Sequence, residues 1–222
     1  MRELYHYPLD VYGRIARIYL LEKSLEYQEI EECPWDRKRV FSEKHMASDL
    51  PTLIENDGTV LEGCYPIVEY IEQTYRSCSL LGDSFKSKAE VRRISALFNV
   101  NFFADVTNNI VFEKVMKKYM DKSSPDSASI RKGNSNIKKY LDYIAWLSSR
   151  RNWLAGDDFS LADISAAAHI SCLDYLGSIE WESYSEVKGW YVRIKSRPSF
   201  RGVLKDRVIN VIPPNFYTDL DF

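Results

Sequence analysis

The chain has 222 residues, 45% of them hydrophobic, with 30 Lys+Arg against 32 Asp+Glu and a formal net charge of -2. That length buries one large or two small cores, and the near-neutral balance argues against a general nucleic-acid binder. Cys33, Cys64, Cys78 and Cys172 make no CxxC pair, so neither a metal site nor a disulfide framework is read and a reducing cytoplasm is expected; no signal peptide and no run of about 18 apolar residues is found, so no membrane span is expected either.

In chain order, "RELYHYP" clusters β-formers before a proline, and "YGRIARIYLLEK" then sets Ile15, Ile18, Tyr19 and Leu21 at helical spacing. "LEYQEIE" reads as a second strand. A polar segment containing Trp35 follows, and "DLPTLIENDGTVLEG" gives two short strands around Asn56-Asp57-Gly58, a strong hairpin signal. "PIVEYIEQTY" opens a helix with a proline suited to its first turn. The first 80 or so residues therefore read βαβ, a polar excursion, then ββα.

From about residue 84 only helices are expected. Val91, Ile94, Phe98 and Phe102 make one stripe, continued by Phe112, Val115, Met116 and Tyr119, and "DKSSPDSAS" reads as a turn. Ile137, Leu141, Ile144 and Leu147 mark the next helix. In "FSLADISAAAHISCLDYL", Ser160 and Asp163 have capping-box spacing, with Phe159 and Ile164 placed as the hydrophobic staple. Asp163 thus reads as structural rather than catalytic, and the small, apolar run behind it reads as a central helix. His169 within that run reads as a satisfied core histidine, since no second ligand stands at metal spacing. A last helix, "YSEVKGWYVRIKSRPSF", stops at Pro198, and "VINVIPPNFYTDLDF" has two prolines and no helical period.

Charge divides the chain. Residues 1–82 hold 9 basic against 15 acidic side chains, while residues 114–139 hold 8 against 2, either a solvated helix face or a docking surface for an acidic peptide. Trp35, between acidic "EE" and basic "RKR", either folds back on its domain or anchors a partner. The end of the chain, with Phe216, Tyr217, Asp219, Leu220, Asp221 and Phe222, is either a strap on its own domain or a peptide ligand.

The order βαβ–ββα before an all-α domain with an S-x-x-D cap resembles the glutathione transferase family, through "PLDVYGRIARIYL", Leu50-Pro51, "LEGCYPIVEYIE", "GDDFSLADISAA" and "WYVRIKSRPSF". The resemblance implies a thioredoxin-like α/β domain over 1–80, a helical-bundle domain over 84–207, a tail over 208–222 and a homodimer. It implies that Pro51 is cis and that Leu50, Pro51, Gly63 and Cys64 occupy the glutathione positions. Two departures weaken the chemistry. Asp10 stands where many members have the serine that activates the thiol, and an ionised carboxylate cannot donate and raises the pKa of a nearby thiol; Tyr7 and Tyr12 are the remaining donor candidates. Gly63-Cys64 replaces the acidic or amide residue and serine that receive the γ-glutamyl carboxylate, and a thiol is a poor substitute for a hydroxyl.

A narrower set, "YHYPLD", "PWDR", "LEGCYPI", "HISCLDYLGSIEW", "WYVRIKSRPSFR" and the terminal "DLDF", resembles the glutathione-transferase-like proteins of alphaproteobacteria that bind the division protein FtsZ. That implies a non-catalytic cytoplasmic protein acting on FtsZ and the division machinery, with Trp35, Asp219, Leu220, Asp221 and Phe222 as partner-binding residues. No cofactor beyond weakly held glutathione, no metal and no nucleic acid are expected. The alternative is a glutathione transferase conjugating hydrophobic electrophiles.

Overall fold

The computed structural model describes residues 1–35 and 50–220. Asp221 and Phe222, both named above, lie outside the described residues. The chain divides into two compact units, Met1–Cys78 and Ser79–Phe222.

The first unit is a four-stranded sheet, β1 (Arg2–His6), β2 (Tyr27–Glu31), β3 (Thr52–Ile54) and β4 (Val60–Glu62), in the order β2-β1-β3-β4. The β1–β2 pair is parallel because α1 (Val11–Glu22) crosses between them, whereas β3 and β4 join as an antiparallel hairpin. Alternation along β1 buries Leu4 and His6. Ile15, Ile18 and Tyr19 of α1 and Ile67, Val68 and Ile71 of α2 (Cys64–Thr74) complete this core, none of them more than 2% exposed.

The second unit is helical. α3 (Phe85–Ala96) runs without a break into a π-helical stretch, Leu97–Met116, and ends in α4 (Lys117–Met120). Phe98, Phe102, Val106, Ile110 and Val115 are buried along it. Their spacing of four to five residues is wider than the 3.6 of an α-helix and matches the i→i+5 winding that ends with Lys117 N–H on the Phe112 carbonyl. α5 (Ser127–Ser148) returns antiparallel and begins earlier than the sequence suggests, because Asp126 caps it by accepting from Ala128 N at 3.0 Å and Ser129 N at 3.3 Å. Gly133 permits the close approach: a Cβ there would stand 2.7 Å from Ile110 Cγ1.

α6 (Leu161–Tyr175) is buried along its whole length. Its capping box is complete. Asp163 accepts from Ser160 N (3.2 Å), Leu154 N (2.9 Å) and Trp190 Nε1 (3.1 Å), so one carboxylate ties the helix start to the preceding loop and to α7 (Ser185–Lys195). These three donors and the Ser160 hydroxyl (3.2 Å) favour the ionised form, yet burial outweighs them and lifts this carboxyl to about 6. His169 is a core side chain: Nδ1 meets Thr107 Oγ1 at 2.7 Å and Nε2 meets Asn99 Oδ1 at 3.3 Å.

After α8 (Arg201–Lys205) the chain crosses back over the helices. Tyr217, fully buried in a short 3₁₀ turn, donates to the Val203 carbonyl at 3.0 Å. Beneath it Lys195, also fully buried, donates to the carbonyls of Asp219 (2.5 Å) and Phe216 (3.4 Å), with the Asp174 carboxylate at 4.0 Å. The proximal tail is thus a packed strap, and Leu220 is exposed.

Candidate functional site

The sheet brings three chain reversals of the first unit close together: β1 into α1, the Leu50-Pro51 step into β3, and β4 into α2. Leu50-Pro51 is a cis peptide bond. Gly63 N–H donates to the Pro51 carbonyl at 2.9 Å, which ties the α2 entrance to that step. Gly63 turns with φ +83°, a left-handed conformation that favours glycine and brings the chain directly into α2. The N-cap of α2 consequently offers no side-chain hydrogen bond.

Asp10 is the N-cap of α1. Its carboxylate accepts from Gly13 N at 2.7 Å and Tyr12 N at 3.4 Å, so the side chain at the activating position is engaged in holding the helix start. Cys64 is buried, and burial followed by the nearby charge of Asp10 raises its thiol pKa well above the ordinary range. Tyr12 is shifted the same way, first by burial and then by Tyr65, Asp10 and Cys64. Asp10, Tyr12, Cys64 and Tyr65 therefore form one electrostatically coupled cluster. Tyr65, 47% exposed, was missed in the sequence, where only its place beside Cys64 could have marked it.

Tyr7 is buried and carries the Trp35 ring edge-on, with centroids 5.1 Å apart. Trp35 is half-buried, so the indole packs on its own unit. Asp219 and Leu220 belong to the second unit, at the end of the strap.

Chemically, the cluster is poorly suited to activating a thiol. A thiolate placed beside Asp10 would meet a like charge, and the hydroxyl available is a phenol whose raised pKa makes it a weak donor. The α2 entrance supplies a buried thiol where a hydroxyl would receive a carboxylate. The side chains fit glutathione poorly, although the cis Leu50-Pro51 step is present. Among the described residues no group of three or more His, Cys, Asp or Glu is arranged to hold a metal ion, and no helix is long and apolar enough to cross a membrane.

Comparison with known proteins gives matches along the chain. The family model described as glutathione S-transferase, N-terminal domain, matches residues 4–79, and that of the C-terminal domain matches residues 107–198. FtsZ-localized protein A of Caulobacter vibrioides is 37% identical over 224 residues, spanning 100% of this chain and 98% of the relative. The crystal structure of a glutathione S-transferase from Rhodospirillum rubrum F11 superposes with a TM-score of 0.96 at 43% identity, covering 100% of both chains. The structure of FzlA from C. crescentus superposes with a TM-score of 0.95 at 37% identity, covering 100% of this chain and 99% of that one.

Proposed function

Since this chain belongs to the glutathione S-transferase family, we propose that it uses the transferase fold for protein contact, binding FtsZ in the cytoplasm as a non-catalytic homodimer that acts in bacterial cell division. The observation that carries this reading is the similarity to FtsZ-localized protein A across the whole chain. The local chemistry supports it: Asp10 is engaged as a helix cap and the Cys64 thiol is held neutral. On this reading the partner meets Trp35 and the end of the chain, Asp219, Leu220, Asp221 and Phe222. Glutathione, if it binds through Leu50, Pro51, Gly63 and Cys64, is held weakly. The relative from R. rubrum supports a second reading, a transferase that conjugates glutathione to hydrophobic electrophiles through Tyr7 or Tyr12.

A paired measurement separates the two. The expected result is co-sedimentation with polymerised FtsZ and negligible conjugation of a standard aromatic halide. Robust turnover abolished by Tyr7→Phe or Tyr12→Phe, without FtsZ binding, would establish the transferase instead.

A further inference from the structure

Where the chain leaves α8 it exposes two large aliphatic side chains, Ile209 at 78% and Ile212 at 93%. Neither belongs to a loose loop. Val211 N–H donates to the Val208 carbonyl at 3.1 Å, closing a tight turn in which Asn210 has φ +63°. The Tyr175 hydroxyl, at the end of α6, accepts from Val208 N–H at 2.9 Å and donates to the Val211 carbonyl at 3.0 Å, so both sides of the turn are fastened to the core. Pro213 and Pro214 stiffen the exit. The fold therefore holds two isoleucines out to solvent on a backbone whose hydrogen bonds are made.

Lysines rim them. Asn210 Nδ2 donates to the Tyr119 hydroxyl at 3.4 Å, which lays the turn against α4. Lys114 Nζ donates to Ser178 Oγ at 3.1 Å, next to Gly177, where a Cβ would stand 3.2 Å from Pro214 Cγ. Met120, 45% exposed, adds a third apolar group beside Tyr119, and Lys118 Nζ lies 5.9 Å from the Tyr119 ring centroid. From Lys114 to Lys122 there are four lysines and a single carboxylate, Asp121. Of the four, only Lys117 has an ion pair among the described residues, with Glu113 at 2.9 Å. Lys205 and Arg207, just before the turn, are exposed as well, and the carboxylate between them, Asp206, is buried.

We propose that Ile209, Ile212 and Met120 form the tip of a docking surface for an anionic phospholipid bilayer, with Lys114, Lys118 and Lys122 on the lipid headgroups. Charge complementarity selects an anionic surface. The residue types select a bilayer over a protein, because protein interfaces concentrate Trp, Tyr and Arg and are depleted in lysine, whereas aliphatic tips ringed by lysine suit the boundary between headgroups and acyl chains. A single-stranded nucleic acid would need a row of aromatic platforms that the tip lacks. The contact is peripheral, since the turn reaches into the boundary and spans nothing. It uses the second unit alone and does not depend on FtsZ.

The test is sedimentation of the full-length chain with vesicles of phosphatidylglycerol mixed into phosphatidylcholine, and with vesicles of phosphatidylcholine alone. Wild type is compared with Ile209→Ser/Ile212→Ser and with Lys118→Glu/Lys122→Glu, and thermal melting and light scattering establish fold and oligomeric state for each. The expected result is wild-type binding to the anionic vesicles that weakens as salt rises, little binding to the neutral ones, and binding about tenfold weaker or more for each variant at unchanged melting and mass. Wild type that stays in the supernatant, binds both kinds of vesicle equally, or is matched by both variants overturns the proposal. So does a lower mass in the isoleucine variant, which would assign the tip to a second copy of the chain. None of these outcomes bears on FtsZ binding, which is measured without lipid.

Discussion

His169 occupies the centre of the second unit with both ring nitrogens engaged, and burial drives its pKa down to about 3. The sign of the consequence follows from proton counting. Below about pH 6.5 the unfolded chain takes up a proton at this imidazole that the folded chain refuses until about pH 3, so stability is lost as the medium is acidified. The loss approaches about 1.4 kcal/mol per pH unit across that window. Denaturant melts of the wild type should therefore show an acid limb starting near pH 6.5, and His169→Phe, which does not titrate, should flatten it even though it is less stable at neutral pH. Equal slopes in the two proteins would place the acid sensitivity elsewhere. The Asp163 carboxyl, lifted to about 6, works in the opposite direction and partly masks the wild-type limb between about pH 4 and 6, so the difference between the two proteins is the informative quantity.

Helix starts explain which acidic residues could be read in advance. Ser160 and Asp163 announce their cap by spacing alone, and the box that forms is local, so nothing distant is needed to recognise it. Asp10 is also a cap, but its neighbours in the sequence, "PLDVY", carry no second half of a box, and resemblance directed attention to the hydroxyl it replaces rather than to the backbone it holds. The two caps differ in what they support. Asp10→Ala removes acceptors from two partly exposed N–H groups and should cost about 1 kcal/mol. Asp163→Ala strands the buried N–H groups of Leu154, Ser160 and Trp190 and should cost about 3 kcal/mol or more. Urea melts that rank the two variants in the reverse order would contradict this account. The π-helical stretch was legible only as a helix: its stripe is apolar, but a change from 3.6 to a wider period is imposed by packing against α5 and α6 and leaves too faint a mark in twenty residues.

Across the whole molecule, the mixed sheet followed by helices could be read because strand and helix periods, the Asn56-Asp57-Gly58 turn and the capping box are all local signals. The path of residues 208–220 could not, because it depends on partners far away in sequence: Tyr217 finds the Val203 carbonyl, and Tyr175 receives Val208 N–H at 2.9 Å while donating to the Val211 carbonyl at 3.0 Å. The electrostatic cluster at Cys64 was equally hidden, since Asp10, Tyr12 and Tyr65 meet only after the sheet has formed. The strap leads to a prediction with two arms. Ending the chain after Pro214 removes Tyr217 from the core and should cost about 3–5 kcal/mol. Ending it after Asp219 should leave melting within about 0.5 kcal/mol of wild type while abolishing division activity in a complementation assay. Normal division by the longer truncation as sole copy would sink the partner role of Leu220, Asp221 and Phe222.

Lys195 gives the strap a chemical reporter. Burial lowers its pKa to about 8, so near that pH a large share of the side chain is the neutral, nucleophilic amine, yet the strap covers it completely. An acylating reagent reaches this nitrogen only during the moments when residues 216–219 lift away. Its rate of modification, set against that of the exposed lysines by peptide mass mapping, therefore reads the fraction of time the strap spends open. A partner that seizes the end of the chain and peels it off would accelerate labelling, and one that clamps it down would protect the amine, so a single lysine distinguishes the two modes of engagement without any label on the tail itself.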